Sequence, residues 1–257
     1  MNSNGFGNGF TTGGLGPDGF GSGFWRPSNV INYVTSGLKL YLDAGNVNSY
    51  PGSGTTWTDL SGNGKHATLY NSPTYSTDNG GVITFTKASY QYAEGPYLGQ
   101  LANWTAEAWI KFNASPVAGT NSIITDIYDG VSKLNFSLGT NDPLTTSIKA
   151  GFFNGQWRNT TTGTAISTGT WYHFVGTYDG STVKLYTNNA AAGTLNYSAT
   201  ADGGGLGYRV ARRWDAASND AGNFISGAIP LLRVYNRALT SDEVATNYNS
   251  EKSRYGL

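Results

Sequence analysis

Residues 170–187 have the sequence TWYHFVGTYDGSTVKLYT, and this stretch decides the fold class of the 257-residue chain. Apolar and polar side chains alternate on both sides of Asp179-Gly180, which is typical of strands buried on one face. An Asp-Gly pair favours a tight turn between two antiparallel strands. The stretch therefore predicts a β-hairpin from residue 171 to residue 187.

The same alternation recurs in both directions along the chain, first in residues 38–42 and 106–112. Further strands are predicted in six stretches: residues 82–85, 122–127, 133–138, 148–153, 207–212 and 229–235. Many short strands with glycine-rich turns and almost no helix are typical of a β-sandwich or barrel.

One helix is predicted near the end of the chain. Residues 240–243 read TSDE, a capping box with Thr240 as N-cap and Glu243 reaching back to it. Leu239 and Val244 occupy the two positions of a hydrophobic staple around the cap. We expect this short helix to pack against the last strand.

Composition excludes several classes of protein. The chain has no cysteine, so disulfides and thiolate chemistry are absent. Charged residues make up 12% and the net charge is +0, which disfavours binding to nucleic acid. The sequence contains no apolar run long enough for a membrane span and no signal peptide at its start.

Residues 1–36 differ from the rest in composition, because GFGNGF at residues 5–10 recurs as GFGSGF at residues 19–24. A flexible linker explains the glycines equally well. It does not explain the aromatic residues, which a linker does not need. We predict an N-terminal anchoring arm over residues 1–36 and one domain over residues 37–257. The predicted assembly residues of the arm are Phe6, Phe10, Phe20, Phe24 and Trp25.

Three segments in order carry a family resemblance: LKLYLDAGN (38–46) with WTDLSGNGKHA (57–67), TWYHFVGTYDG (170–180), and GAI (227–229) with LRVYNRALT (232–240). They resemble the laminin G-like, concanavalin A-like lectin/glucanase superfamily. The resemblance implies an all-β, two-sheet antiparallel jelly-roll sandwich. Residues 38–67 also resemble virion structural proteins of tailed phages, including cyanophages.

Glucanases of this superfamily carry their catalytic carboxylates on one strand, usually spaced E-x-D-x-x-E, and hydrolysis needs two such groups. No glutamate of this chain has an acidic partner at that spacing; Glu107 is followed two residues later by Trp109. His66 and His173 lack a nucleophile elbow. We therefore expect a protein that is not an enzyme.

The resemblance also implies a structural calcium site, because related domains bind Ca²⁺ at one edge of the sandwich. The candidate ligands are Asp43, Asp59 and Asn63, whose oxygen atoms suit a hard cation. The alternative is that this run of turn-forming residues binds its own backbone.

Exposed aromatic rings beside planar hydrogen-bonding groups are typical of sugar sites. The candidate ligand-binding residues are Trp157, Arg158, Arg213 and Trp214, with both tryptophans expected in loops. A subunit contact or a cover over the sandwich rim is an equally good explanation of these residues. Trp104, Trp109 and Trp171 are predicted to lie in the core.

Together these features predict a virion structural protein, with capsid decoration or a head fibre favoured over a tail role. The arm would bind other virion proteins, either capsid or tail proteins, and the lectin-like domain would face outward as a homo-oligomer that binds cell-surface polysaccharide. Neither nucleic acid nor membrane is an expected partner. The expected location is the virion surface. The alternative is a glycan-binding module of a bacterial surface or tail-fibre protein.

Overall fold

The computed structural model describes residues 32–114, 122–126, 133–140, 147–162, 165–200, 205–213 and 224–257. Within these ranges the chain forms two antiparallel sheets that pack face to face, and one α-helix follows the last strand. The predicted all-β jelly-roll sandwich with a short C-terminal helix is confirmed. No helix in the described ranges is long and apolar enough to cross a bilayer.

The first sheet contains, in spatial order, β14 (Ala190–Asn196), β13 (Thr182–Thr187), β12 (Trp171–Tyr178), β7 (Trp104–Phe112), β16 (Gly227–Tyr235), β5 (Val82–Phe85) and β4 (Thr74–Ser76), while β1 (Leu38–Asp43) also pairs with β16. The second sheet contains β11 (Trp157–Thr161), β10 (Ile148–Asn154), β9 (Lys133–Thr140), β8 (Ser122–Asp126), β15 (Tyr208–Val210), β6 (Tyr92–Gly95), β3 (Ala67–Tyr70) and β2 (Thr56–Trp57). The helix is α1 (Ser241–Glu251), and short 3-10 helices span Asp78–Gly80, Lys87–Ser89 and Lys252–Tyr255.

The predicted hairpin is confirmed as β12 and β13, with Tyr178 opposite Val183. Gly180 has a φ of +94°, which suits glycine in this tight turn. Oδ1 of Asp179 accepts hydrogen bonds from the N–H groups of Ser181 and Thr182, so the Asp-Gly pair fixes the turn.

The other predicted strands also form. Residues 82–85, 133–138, 148–153 and 229–235 lie within β5, β9, β10 and β16, and residues 122–126 form β8, whereas residue 127 lies outside the described ranges. The stretch predicted at 207–212 forms a shorter strand, β15, because Ala211 has a φ of +61° and leaves the extended conformation.

Proline accounts for the change of partner along one edge of β16. This strand pairs with β5 over residues 227–229 and with β1 over residues 231–235. Pro230 lies at the junction, where its lack of an N–H group breaks the ladder. Its carbonyl still accepts a hydrogen bond from Ala44 N–H at 2.8 Å.

The core lies between the sheets, and the predicted core tryptophans are confirmed. Trp104 is fully buried between the sheets, whereas Trp109 and Trp171 lie under the C-terminal segment on the outer face of the first sheet. Trp109 packs against the ring of Tyr255, with ring centroids 4.2 Å apart. The outer face of this sheet is therefore covered where the C-terminal segment crosses it.

The capping box is confirmed at the start of α1. Glu243 N–H donates to Thr240 Oγ1, and Thr240 N–H donates to the Glu243 carboxylate. Val244 is buried, and Asn247 donates a hydrogen bond to Tyr235 Oη of the last strand. The helix packs against this strand as predicted.

The compact unit of the described chain runs from Asn32 to Leu257. Val34 N–H donates to Asn247 Oδ1 at 2.8 Å, and its carbonyl accepts a hydrogen bond from Tyr235 Oη at 3.0 Å. Tyr33 lies against the Tyr41 ring. The stretch predicted as arm therefore includes residues that contact the sandwich, and a truncation that spares these contacts ends at residue 31.

Candidate functional site

The carboxylate of Asp59 organises the loop that the sequence offers as a calcium site. Its Oδ1 accepts hydrogen bonds from the N–H groups of Tyr41 and Ser61, both at 2.9 Å. Its Oδ2 accepts from Lys65 N–H at 2.9 Å and from Ser61 Oγ at 2.8 Å. Four donors therefore occupy the two oxygens. This arrangement agrees with the alternative prediction from the sequence, in which the turn-forming residues bind their own backbone.

The two other calcium candidates are also engaged with protein groups. The Arg254 guanidinium contacts both oxygens of Asp43, at 3.1 and 3.2 Å. Asn63 donates from its amide nitrogen to the carbonyl oxygens of Leu38 and Lys39. A cation prefers oxygens that are free of donors and of a competing positive charge. The donor set does not fit Ca²⁺ well, and the calcium site stays a prediction.

Trp157 corrects the sequence prediction of a loop, because it is the first residue of edge strand β11. It lies opposite Phe153 of β10, with ring centroids 5.2 Å apart, and the Lys149 ammonium lies 4.0 Å from the Trp157 ring centroid. Arg158 points the other way and stacks on Tyr197, with its guanidinium carbon 3.9 Å from the ring centroid. Neighbouring side chains therefore contact both residues.

The predicted ligand residues do not form one cluster. Arg213 follows β15, whereas Trp157 lies in β11, and three strands separate the two in the second sheet. Four spacings between neighbouring strands amount to about 19 Å. Trp214 and the five aromatic residues of the arm lie outside the described residues. The structure therefore places Trp157 and Arg213 on different parts of the sandwich.

The pairing of strands in the second sheet aligns a different set of residues. One row of small and polar residues crosses all eight strands on the face opposite the core: Asn159, Gly151, Ser137, Thr125, Arg209, Glu94, Thr68 and Thr56. Thr125 and Ser137 in the middle are fully buried. The row is open to solvent at its β2 end, where Thr56 and Thr68 are exposed.

Two tyrosines lie beside this open end. Tyr70 of β3 is directly opposite Tyr92 of β6, and their rings stack at 4.6 Å with 8° between the planes. The Arg212 guanidinium lies 4.5 Å from the Tyr92 ring centroid. Tyr70 is 39% exposed, so its ring is available for contact from solvent.

An ion pair borders the tyrosines in the adjacent row. Arg209 Nε donates to Glu94 Oε2 at 2.9 Å, and these side chains retain 16% and 32% exposure. Because Val210 and Ala93 face the core, their neighbours Arg209 and Glu94 face outward. We call Tyr70, Tyr92, Glu94, Arg209 and Arg212 the tyrosine face.

The tyrosine face combines a ring surface with planar groups that donate and accept hydrogen bonds. Stacking on an aromatic ring suits an apolar ring face of a ligand, and the carboxylate and guanidinium fix its orientation. Burial raises the pKa of Tyr92, so this hydroxyl stays protonated at neutral pH. The arrangement can bind a neutral polar ligand, and within the described residues no group of three acidic or histidine side chains could hold a metal ion.

Sequence reasoning missed the tyrosine face because each residue looks ordinary in its own strand. Within the stretch from Arg209 to Arg213, the sequence pattern indicates only Arg213 as a ligand-binding residue. Tyr70 and Tyr92 are brought together only by the pairing of β3 with β6. The alternation in residues 67–70 and 92–94 was the one available signal.

Glu107, the acidic residue that the glucanase comparison singled out, lies in a closed network under α1. Its carboxylate is fully buried and accepts from His173 Nε2 and Arg233 Nη1, both at 3.0 Å, and from Asn247 Nδ2 at 2.6 Å. Burial alone would raise the pKa of Glu107. The Arg233 guanidinium and the two hydrogen bonds outweigh burial and lower the pKa.

Comparison with known proteins agrees with the fold. A family model described as the concanavalin A-like lectin/glucanases superfamily matches residues 77–245. No curated protein sequence matches the chain.

Solved structures match most of the chain at low identity. One is domain 4 of AbnA, an extracellular arabinanase of Geobacillus stearothermophilus, in complex with arabinotriose (TM-score 0.64, 18% identity, 82% of this chain and 97% of that chain). Others are the receptor binding domain of botulinum neurotoxin type G (TM-score 0.63, 13%, 84% and 51%) and Trypanosoma rangeli sialidase with the inhibitor DANA (TM-score 0.58, 15%, 84% and 33%). This chain thus spans about half and a third of the latter two.

Proposed function

The chain belongs to the concanavalin A-like lectin/glucanases superfamily, and we propose that it is a non-catalytic domain that binds glycans at the tyrosine face. The observation that carries the proposal is the exposed ring of Tyr70 beside the partly exposed Glu94–Arg209 pair. A sugar ring stacks its C–H face on the tyrosine while its hydroxyls bond the carboxylate and guanidinium. The arabinotriose complex of the similar arabinanase domain supports a saccharide as the ligand class.

The state of the glutamates supports binding without hydrolysis. Each of the four glutamates lies within 3.0 Å of an arginine: Glu94 with Arg209, Glu107 and Glu251 with Arg233, and Glu243 with Arg237. A general acid for glycoside cleavage needs a raised pKa and a second carboxylate across the scissile bond. The pKa of Glu107 is lowered instead, and its burial leaves no access for a substrate.

Affinity electrophoresis against a polysaccharide panel that includes arabinan tests the proposal. At least one neutral polymer should retard the full-length protein, and Tyr70→Ala should weaken binding about fivefold, since a ring contact contributes about 1 kcal/mol. Tyr75→Ala on β4 of the other sheet is the matched control and should bind normally. Retardation that Tyr70→Ala leaves unchanged would contradict the assignment of the face.

The same samples test the absence of catalysis. Incubation with the retarding polymer should release no reducing ends. Release that survives repurification and is lost in Glu107→Gln would instead make the protein a glycoside hydrolase.

We also propose a setting for this domain, the surface of a virion, on which it is a capsid decoration or head-fibre component. The support is the repeated Gly-Phe sequence of residues 1–36 and the resemblance of residues 38–67 to tailed-phage virion proteins. In this setting the arm binds other virion proteins, and the domain, as a homo-oligomer, meets cell-surface polysaccharide. A glycan-binding module of a bacterial surface or tail-fibre protein is the alternative.

Deletion of residues 1–31 separates anchoring from folding. The truncated protein should keep a cooperative thermal transition and its glycan binding, while losing attachment to purified particles in a co-sedimentation assay. Attachment that persists without these residues would overturn the role of the arm.

A further inference from the structure

A cleft of about 380 Å³ lies on the first sheet, at the N-terminal end of α1. Strands β12 and β13 contribute Thr177, Asp179, Lys184 and Tyr186, and the segment into the helix contributes Leu239 and Ser241. This volume is at the small end of the range for ligand pockets.

Two hydroxyl groups of this cleft are without a hydrogen-bond partner within the described part of the protein. Thr177 is 2% exposed and Tyr186 is 7% exposed, yet neither hydroxyl has a hydrogen bond to any residue that the structure describes. Thr105, directly opposite Thr177 on β7, shows the usual arrangement: its hydroxyl donates to Arg237 O at 2.8 Å and accepts from Leu239 N–H at 2.9 Å. The Thr177 and Tyr186 hydroxyls open into the cleft and have no protein partner there, so a ligand in the cleft can bond both.

The helix adds backbone donors at the same place. Thr240 Oγ1 caps the N–H of Glu243, but the N–H of Ser241 has no partner among the described residues. The first N–H groups of an eleven-residue helix point out of its N-terminal end, where Ser241 lines the cleft.

The cleft contains one positively and one negatively charged side chain. Lys184 supplies an ammonium group, and Asp179 supplies a carboxylate whose Oδ1 is held by the hairpin turn. Burial alone would raise the pKa of Asp179, but hydrogen bonds from Ser181 and Thr182 lower it, so it is ionised at neutral pH. A ligand with a net charge would be attracted by one group and repelled by the other.

We propose that this cleft is a second binding site, for a single neutral sugar residue or a similar polyol. Vicinal hydroxyls bond Thr177, Tyr186 and the carboxylate of Asp179, while Lys184 and the helix N–H groups donate to sugar oxygens. Leu239 packs against the C–H groups of the ligand. The site is independent of the tyrosine face, which lies on the other sheet.

An NMR titration with the methyl glycosides of glucose, galactose and mannose tests the site. At least one probe should shift the amide signals of residues 177–186 and 240–242 in a saturable way. The double variant Thr177→Val with Tyr186→Phe should bind about thirtyfold more weakly, since two hydrogen bonds are lost. Its melting temperature should be unchanged or higher, because both lost hydroxyls are unpartnered in the free protein.

Two further variants keep the outcome clear. Ser241→Pro removes one backbone donor at a helix position that tolerates proline, and should also weaken binding. Tyr70→Ala should leave these shifts unchanged even if it abolishes polysaccharide binding.

Sodium acetate and sodium glucuronate serve as anionic probes. Binding of these in preference to the neutral glycosides would overturn the ligand class. No saturable shifts with any neutral glycoside, or shifts that persist in the double variant, would overturn the site.

Discussion

Two arginines, one on the outer face of each sheet, pair with glutamates in opposite surroundings. On the first sheet, Arg233 is fully buried under α1 and bonds Glu107 and Glu251 at 3.0 and 2.8 Å. On the second sheet, Arg209 and Glu94 form a pair at a similar distance that stays partly exposed. The comparison teaches that burial, and not pairing, distinguishes the charges under the helix from the charges of the tyrosine face.

The largest expected effect on stability comes from replacing the buried arginine of this comparison. Arg233→Met leaves the Glu107 carboxylate buried without its main counter-charge, so we expect a loss of about 3–5 kcal/mol in the free energy of unfolding. Arg209→Met removes a partly exposed pair and should cost about 1 kcal/mol. Urea denaturation measures both, and equal losses would contradict the distinction.

The Asp59 loop should show the next largest effect. Asp59→Ala removes a carboxylate that accepts four hydrogen bonds, and we expect a loss of about 3 kcal/mol. The loss should be the same in calcium and in chelator if the carboxylate serves the loop. A melting temperature that rises with calcium in the wild type, and not in Asp59→Ala, would establish the metal site instead.

Local turns and caps were predictable from the sequence, whereas contacts between distant strands were not. The Asp-Gly hairpin and the capping box at Thr240 were predictable because turns and caps depend on residues within a few positions of one another. The bonds of Arg233 to Glu107 join residues 126 positions apart, and only the pairing of β7 with β16 creates them. The tyrosine face could not be predicted for the same reason.

A smaller effect is expected from pH at the helix cap. Hydrogen bonds from Arg237 lower the pKa of Glu243 from 4.5 to about 2. A carboxyl with a lowered pKa in the folded state stabilises it above pH 4.5, and this contribution is lost as the pH falls toward 2. The side chain is 28% exposed, so the contribution should be about 1 kcal/mol or less.

Glu243→Gln is the matched variant, because glutamine can keep the capping hydrogen bond without the charge. The stability difference between the wild type and this variant should be present at pH 7 and vanish near pH 2. A difference that is independent of pH would show that the ion pair with Arg237 does not contribute.

The most direct test of the central claim is to locate a bound oligosaccharide on the protein. Amide shifts should be recorded by NMR with the best binder from the polysaccharide panel, in the wild type and in Tyr70→Ala. The account predicts saturable shifts in β3, β6 and β15 that disappear in the variant. Shifts confined to other surfaces, such as the edge strand that carries Trp157, would contradict it.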